Sequence, residues 1–145
     1  MKTSRKLMEE FNIIPRLRLF QKQKNAEGKM ETKATGEHKV KMIADKEVEG
    51  TDYQTGKPKP QIRYLVEENG EKKIYETDKF NKKGELNYLV RRLGEIPENT
   101  EVILKGERRG MKNYVDVKIV LEPQSIEVEE EYDENGPEQA EISEL

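Results

Sequence analysis

The sequence predicts a mainly β protein: a five-stranded Greek-key barrel with one helix between the third and fourth strands, then a disordered acidic tail. Three observations predict it. Short runs of alternating apolar and polar residues fill the middle of the chain. One run at helical spacing interrupts them. A final segment, 122–145, holds ten Asp or Glu and no Lys or Arg. Leu, Ile, Val and Phe supply 32 of the 145 residues, near the lower limit for a folding chain. A small core with unstructured ends is therefore expected.

Val40, Met42 and Ala44 alternate with Lys39, Lys41 and Ile43, which makes the first strand, with a continuation through Val48 beyond an irregularity. Gly50 to Pro60 is turn-rich and reads as a loop. Gln61–Glu67 and Lys72–Thr77 are the second and third strands. Between them sits Asn69-Gly70, the dipeptide that best fits a two-residue hairpin. That turn sets Val66 opposite Lys73, Tyr64 opposite Tyr75 and Ile62 opposite Thr77. On the other face, Glu67 meets Lys72, Leu65 meets Ile74, and Arg63 meets Glu76. The opposite charges there suit cross-strand pairing and suggest that this face sees water or a ligand. Asn81 can cap a helix whose stripe is Leu86, Leu89, Val90, Leu93 and Ile96. Gly94 and Pro97 end it. Glu101–Glu107 is the fourth strand and Tyr114–Leu121 the fifth. In the tail, ordering entropy outweighs what so few apolar residues can offset.

Strand, strand, strand, helix, strand, strand is the layout of the OB-fold, the helix plugging one end of the barrel. An open sheet with the helix on one face is the competing layout. The organisation read from the chain is a basic N-terminal arm (1–34), the barrel (35–121) and the acidic tail (122–145).

Absences bound the chemistry. There is no Cys, and His38 is the only histidine, so neither a thiolate or histidine metal cluster nor a Ser-His-Asp triad can be built. Phosphate-cradling glycine loops and zinc spacings are lacking too. No enzyme, cofactor or metal is expected. No apolar run approaches a membrane span, and no leader-like stretch opens the chain; a cytoplasmic protein is expected.

Residues 1–121 carry a net charge of +7 and the tail −10. A basic body with an acidic tail suits a protein that binds polyanions, although charge also keeps a lean sequence soluble. In an OB-fold the ligand crosses the second and third strands, flanked by the first-to-second and fourth-to-fifth loops. The first loop holds Tyr53, Lys57 and Lys59. The second holds Arg108, Arg109 and Lys112, with Tyr114 at its exit. Arg63 and Lys72 lie on the hairpin face expected to be open. Cations for phosphates and flat rings for bases are the two needs of single-strand binding.

Each item also has a plainer reading. Arg108, Arg109 and Lys112 can be a solvated hairpin tip. Tyr64 and Tyr75 fit the core better than a stacking platform. Phe80 and Tyr88 read as core or helix packing, His38 as an ordinary strand residue. The arm could form a helix over Ser4 to Phe11, then a strand at Arg16-Leu17-Arg18-Leu19. It could dock on the barrel, pair with another subunit, or grip nucleic acid.

The stretch Gly84–Leu93, then Val102–Gly110 (VILKGERRG) and Asn113–Val120 (NYVDVKIV), resembles the single-stranded DNA-binding proteins of bacteria and phages over residues 36–121. The chain has no Trp, so tyrosines would do the stacking. The resemblance implies a sequence-tolerant, non-enzymatic binder of single-stranded DNA, with the tail competing for the groove and docking replication or recombination proteins. An oligomer is compatible with it. The alternatives are an OB-fold protein–protein adaptor, an RNA binder, or a small phage structural or inhibitor protein.

Overall fold

The computed structural model describes residues 13–120 together with the strands at 125–129 and 139–141. Among the described residues it is mainly β with one short helix. Strands β1 (Ile13–Pro15) and β10 (Gln139–Glu141) pair antiparallel, and β2 (Phe20–Lys24) and β3 (Met30–Ala34) form a two-stranded ribbon. The main sheet is built from β4 (Glu37–Thr51), β5 (Pro58–Glu68), β6 (Glu71–Asp78), β7 (Thr100–Arg109), β8 (Lys112–Ile119) and β9 (Ser125–Glu129). Its order is β6-β5-β4-β7-β8-β9, antiparallel throughout. The helix α1 (Tyr88–Gly94) lies between β6 and β7.

Long strand β4 organises the sheet. Its first part, Glu37–Met42, pairs with β7, and from Lys41 onward it pairs with β5. At the changeover the ladder slips between Met42 and Ala44, leaving Ile43 as the extra residue of a bulge. A bulge bends a strand and inverts the alternation beyond it. Val40 and Met42 face the main core, whereas Ile43 and Ala44 pack on the opposite side against Ile14, Leu65 and Ile74. Simple alternation would have put Ala44 with Met42.

The β5–β6 hairpin has the register that Asn69-Gly70 demands, from Glu68 opposite Glu71 to Ile62 opposite Thr77. Both turn residues have positive φ (52° and 80°), the requirement of the tight hairpin turn. Tyr64 and Tyr75 are buried side by side, ring centroids 6.3 Å apart. Burial pushes the Tyr64 phenol well above its ordinary value, and Asp45 adds to the push. The pair belongs to the core.

The other hairpin face is covered along its middle. Ile14 of β1 covers Leu65 and Ile74. Beside them Glu76 is buried and binds two arginines: Arg63 Nε at 2.9 Å and Arg16 Nη1 at 3.2 Å. The Arg63–Glu76 pair of that face is met by the N-terminal arm, while Lys72 nearer the turn stays exposed.

The expected closure into a barrel is not seen: among the described residues β6 and β8 are not paired with each other. The outer edge of β6 takes the arm instead, through a parallel bridge of Arg16 with Ile74 and a hydrogen bond from Leu17 N–H to Ile74 O (2.8 Å). The outer edge of β8 takes β9. Edge strands are thereby covered without a closed ring. Leu17, Leu19 and Phe20 join the main core with Val40, Val66, Leu89, Leu93, Val102, Leu104, Val115 and Val117. Phe20 reaches β7 at Gly106, where a Cβ would lie 2.8 Å from both Leu19 O and the Phe20 ring; only glycine admits this approach.

Two segments of the acidic tail, Ser125–Glu129 and Gln139–Glu141, are strands rather than disordered chain. They obtain from β8 and β1 the backbone partners that composition alone does not reveal. The helix expected over Ser4 to Phe11 lies outside the described residues.

Candidate nucleic-acid interface

The last residues of β4, the first of β5 and the last of β6 meet at one end of the sheet. Thr51 pairs with Pro58, Gly50 with Lys59, and Gln61 with Asp78. Loop 52–57 is folded on Asp52. Its N–H donates to Lys57 O (2.7 Å), its carbonyl accepts from Gly56 N–H (2.6 Å), and its carboxylate accepts from Gln54 N–H (2.9 Å). The Gln54 amide is the main cause holding the Asp52 carboxyl below its ordinary value; burial opposes it, and Thr55 and the Lys59 charge reinforce it. The loop presents Tyr53, 51% exposed, and Lys57.

The chain leaving β6 enters a second loop at the same end. Lys79 N–H donates to Pro60 O (3.1 Å), and Lys79 Nζ reaches Glu47 on β4. Asn81 closes the loop, its side chain accepting from Lys83 N–H (3.0 Å) and Glu85 N–H (2.9 Å). Phe80 and Leu86 then lie across from each other in an antiparallel bridge. The helix starts at Asn87, not Asn81. The buried Asn87 side chain accepts from Leu89 N–H (2.9 Å) and donates to Asp78 O (3.2 Å), pinning the helix start to the end of β6. The apolar stripe that reaches the core is Leu89, Leu93 and Ile96.

Phe80 and Tyr88 are consequently not packing residues. Phe80 is 42% exposed, Leu86 38% and Tyr88 66%. Lys79 Nζ lies 5.3 Å from the Phe80 ring centroid and the Arg91 guanidinium 5.7 Å from that of Tyr88, within cation–π range. Lys82 and Lys83 are exposed on the same loop. The overlooked signal was phase: Tyr88 precedes Leu89 by one residue and so sits off the Leu89–Leu93–Ile96 stripe.

The residues picked from sequence fall into two groups, with Arg63 and Lys72 outside both. Tyr53, Lys57 and Lys59 belong to the end just described, but Lys59 is bound to Asp78 (3.1 Å). Arg63 is held by Glu76 under the arm. Lys72 is exposed opposite Glu67. Arg108, Arg109, Lys112 and Tyr114 cluster on the β7–β8 hairpin. There Arg108 Nη1 donates to Asn113 Oδ1 (2.5 Å), Arg109 pairs with Glu107 (2.9 Å), and the Arg109 guanidinium stacks 4.7 Å from the Tyr114 ring centroid. The ladder places these groups at opposite ends of β4: Thr51 opposes Pro58 at one end, while Glu37 opposes Lys105 at the other, with Arg109 beyond it. A straight strand of 15 residues would span about 50 Å at ~3.3 Å each; the bulge bends this one. The ladder thus provides two separate basic regions, not the single trough expected.

Beyond the bulge, exposed Asp45, Glu47 and Glu49 alternate along β4. Among the described residues no group of acidic or histidine side chains could hold a metal ion. No helix among them is long and apolar enough to cross a membrane. No protein-family model, no curated protein and no solved structure matches the chain.

Proposed function

We propose that the protein binds single-stranded nucleic acid, DNA in the first instance, through Tyr53, Phe80 and Tyr88 and the cations beside them. The observation that carries this reading is the exposure of three rings at one end of the sheet: Tyr53 on its loop, Phe80 on a hydrogen-bonded loop with Lys79, Lys82 and Lys83, and Tyr88 at the start of α1 beside Arg91. Bases stack on such rings at about 1–3 kcal/mol each, whatever their identity, so little sequence preference is expected. The strand order, with β4 shared between β5 and β7 and a helix after β6, supports an OB-like ancestry, the arm standing where a closed barrel would pair its edges. In this reading the acidic segment after Leu121 competes with nucleic acid for the cations.

Fluorescence anisotropy with labelled oligo-dT tests it. Affinity should fall with salt, with a log–log slope of about −0.7 per phosphate neutralised. The double variant Phe80→Ala, Tyr88→Ala should lose about 2 kcal/mol or more of binding while melting normally, since neither ring is buried. Neutralising Glu129, Glu130 and Glu131 to Gln should tighten binding; unchanged affinity removes the tail from the reading. A folded wild type that ignores oligo-dT at low salt defeats the proposal. Leu86 beside the two rings would then favour an apolar protein partner.

A further inference from the structure

The β2–β3 ribbon has no structural task that its own residues explain. Only Phe20, at its base, is buried; every other residue is exposed or half-buried, on both faces. Its register puts Lys22 opposite Thr32 and Lys24 opposite Met30 on one face, and Gln21 opposite Lys33 and Gln23 opposite Glu31 on the other. Lys33 pairs with Glu31 (3.4 Å), which settles the second face. On the first, Lys22 and Lys24 form no ion pair among the described residues, and neither does Lys29 at the turn. The tip is stiff: the Asn25 side chain accepts from Glu27 N–H (2.9 Å) and Lys29 N–H (3.0 Å), and Asn25 N–H donates to Lys29 O (2.8 Å). A lone two-stranded ribbon is marginal in water. This one is held by its turn and by Phe20 against Gly106, and it lies along β7, which continues to Arg108 and Arg109.

We infer that this ribbon is an arm for double-stranded DNA, entering the major groove with Lys22, Lys24 and Lys29 toward the phosphates and the β7–β8 tip beside it. Charge and dimensions carry the inference. Lys22 and Lys24 on one face, with no ion pair among the described residues, and exposed Lys29 at the turn complement a polyanion. Two strands about 4.8 Å apart form a ribbon that the B-form major groove, about 12 Å wide, admits; the deep, narrow A-form groove of RNA does not. The ribbon lies at the end of β4 opposite the ring-bearing loops, so one chain can hold a duplex and the single strand leaving it. That junction role rests on the single-strand reading above; the duplex grip does not.

The probes are a blunt DNA duplex, a matching RNA duplex and oligo-dT, with the triple variant Lys22→Glu, Lys24→Glu, Lys29→Glu and its Lys→Gln counterpart. Wild type should bind the DNA duplex in preference to the RNA one. The Glu variant should bind it about tenfold or more weakly, with a salt slope shallower by about one unit per lysine removed, and the Gln variant should fall between. Oligo-dT affinity should stay unchanged in both. A wild type that ignores DNA duplex, variants that bind it normally, equal binding of RNA duplex, or loss of oligo-dT binding along with duplex binding each overturns the inference. Loss of oligo-dT binding in wild type alone, with duplex binding retained, defeats only the single-strand reading.

Discussion

Glu76 shows at the scale of one residue how this lean sequence builds its interior. Its carboxylate is buried and bridges Arg63 of its own sheet to Arg16 of the N-terminal arm. Removing one member of a buried ionic group leaves the others uncompensated, at about 3–5 kcal/mol. Glu76→Gln should therefore lower unfolding stability in urea by about 3 kcal/mol, and an unchanged midpoint would show that water reaches the arginines. Cross-strand pairing of Arg63 with Glu76 was legible from the hairpin turn. The third partner was not, because Arg16 arrives from a segment sixty positions earlier whose docking no local pattern encodes. The same limit hid the half-burial of Arg63, which alternation alone placed on an open face.

Among the elements, α1 was legible in type and misplaced at its start. Asn81 and Asn87 both suit a cap; only the second precedes the Leu89–Leu93–Ile96 stripe directly, while the first closes a turn around Gly84. Asn87→Ala should cost about 1 kcal/mol of stability, the usual worth of a cap. It should also weaken oligo-dT binding, because Asn87 joins the helix start to Asp78 and so places Tyr88. A thermal melt with a parallel binding curve checks both; full binding with a lowered melt would make Asn87 purely structural. The β5–β6 hairpin was legible to the residue because turn chemistry fixes register. In β4 an irregularity was expected beyond Ala44 but lies before it, at Ile43, since a bulge shifts facing without altering composition. The proposed site divides the same way. Tyr53 and Lys57 stand on a loop that its composition marks, whereas the exposure of Phe80 and Tyr88 did not show in the sequence, because apolar residues near a helix read as core.

For the molecule as a whole, acid stability turns on the junction of arm and sheet. Glu68 receives Lys73 Nζ at 2.6 Å and lies 2.6 Å from His38 Nδ1, while His38 Nε2 lies 2.7 Å from Thr35 Oγ1, which donates to Arg18 O. Burial acts to raise the Glu68 carboxyl, but the hydrogen bonds and charges of Lys73 and His38 outweigh it and hold it below 4.5. A carboxyl depressed in the folded state contributes stability above its unfolded value and loses it as pH falls through the folded one. Stability should thus decline as pH drops below about 4.5, and Glu68→Gln should flatten that decline; parallel urea titrations at pH 3 to 6 decide it. The seating of the arm also bears on how the chain comes to be made. Leu17, Leu19 and Phe20 leave the ribosome early, yet the backbone and glycine they rest on, at Ile74 and Gly106, are synthesised much later. Contacts so distant along the chain form slowly, so this apolar segment waits for partners that are made only after it.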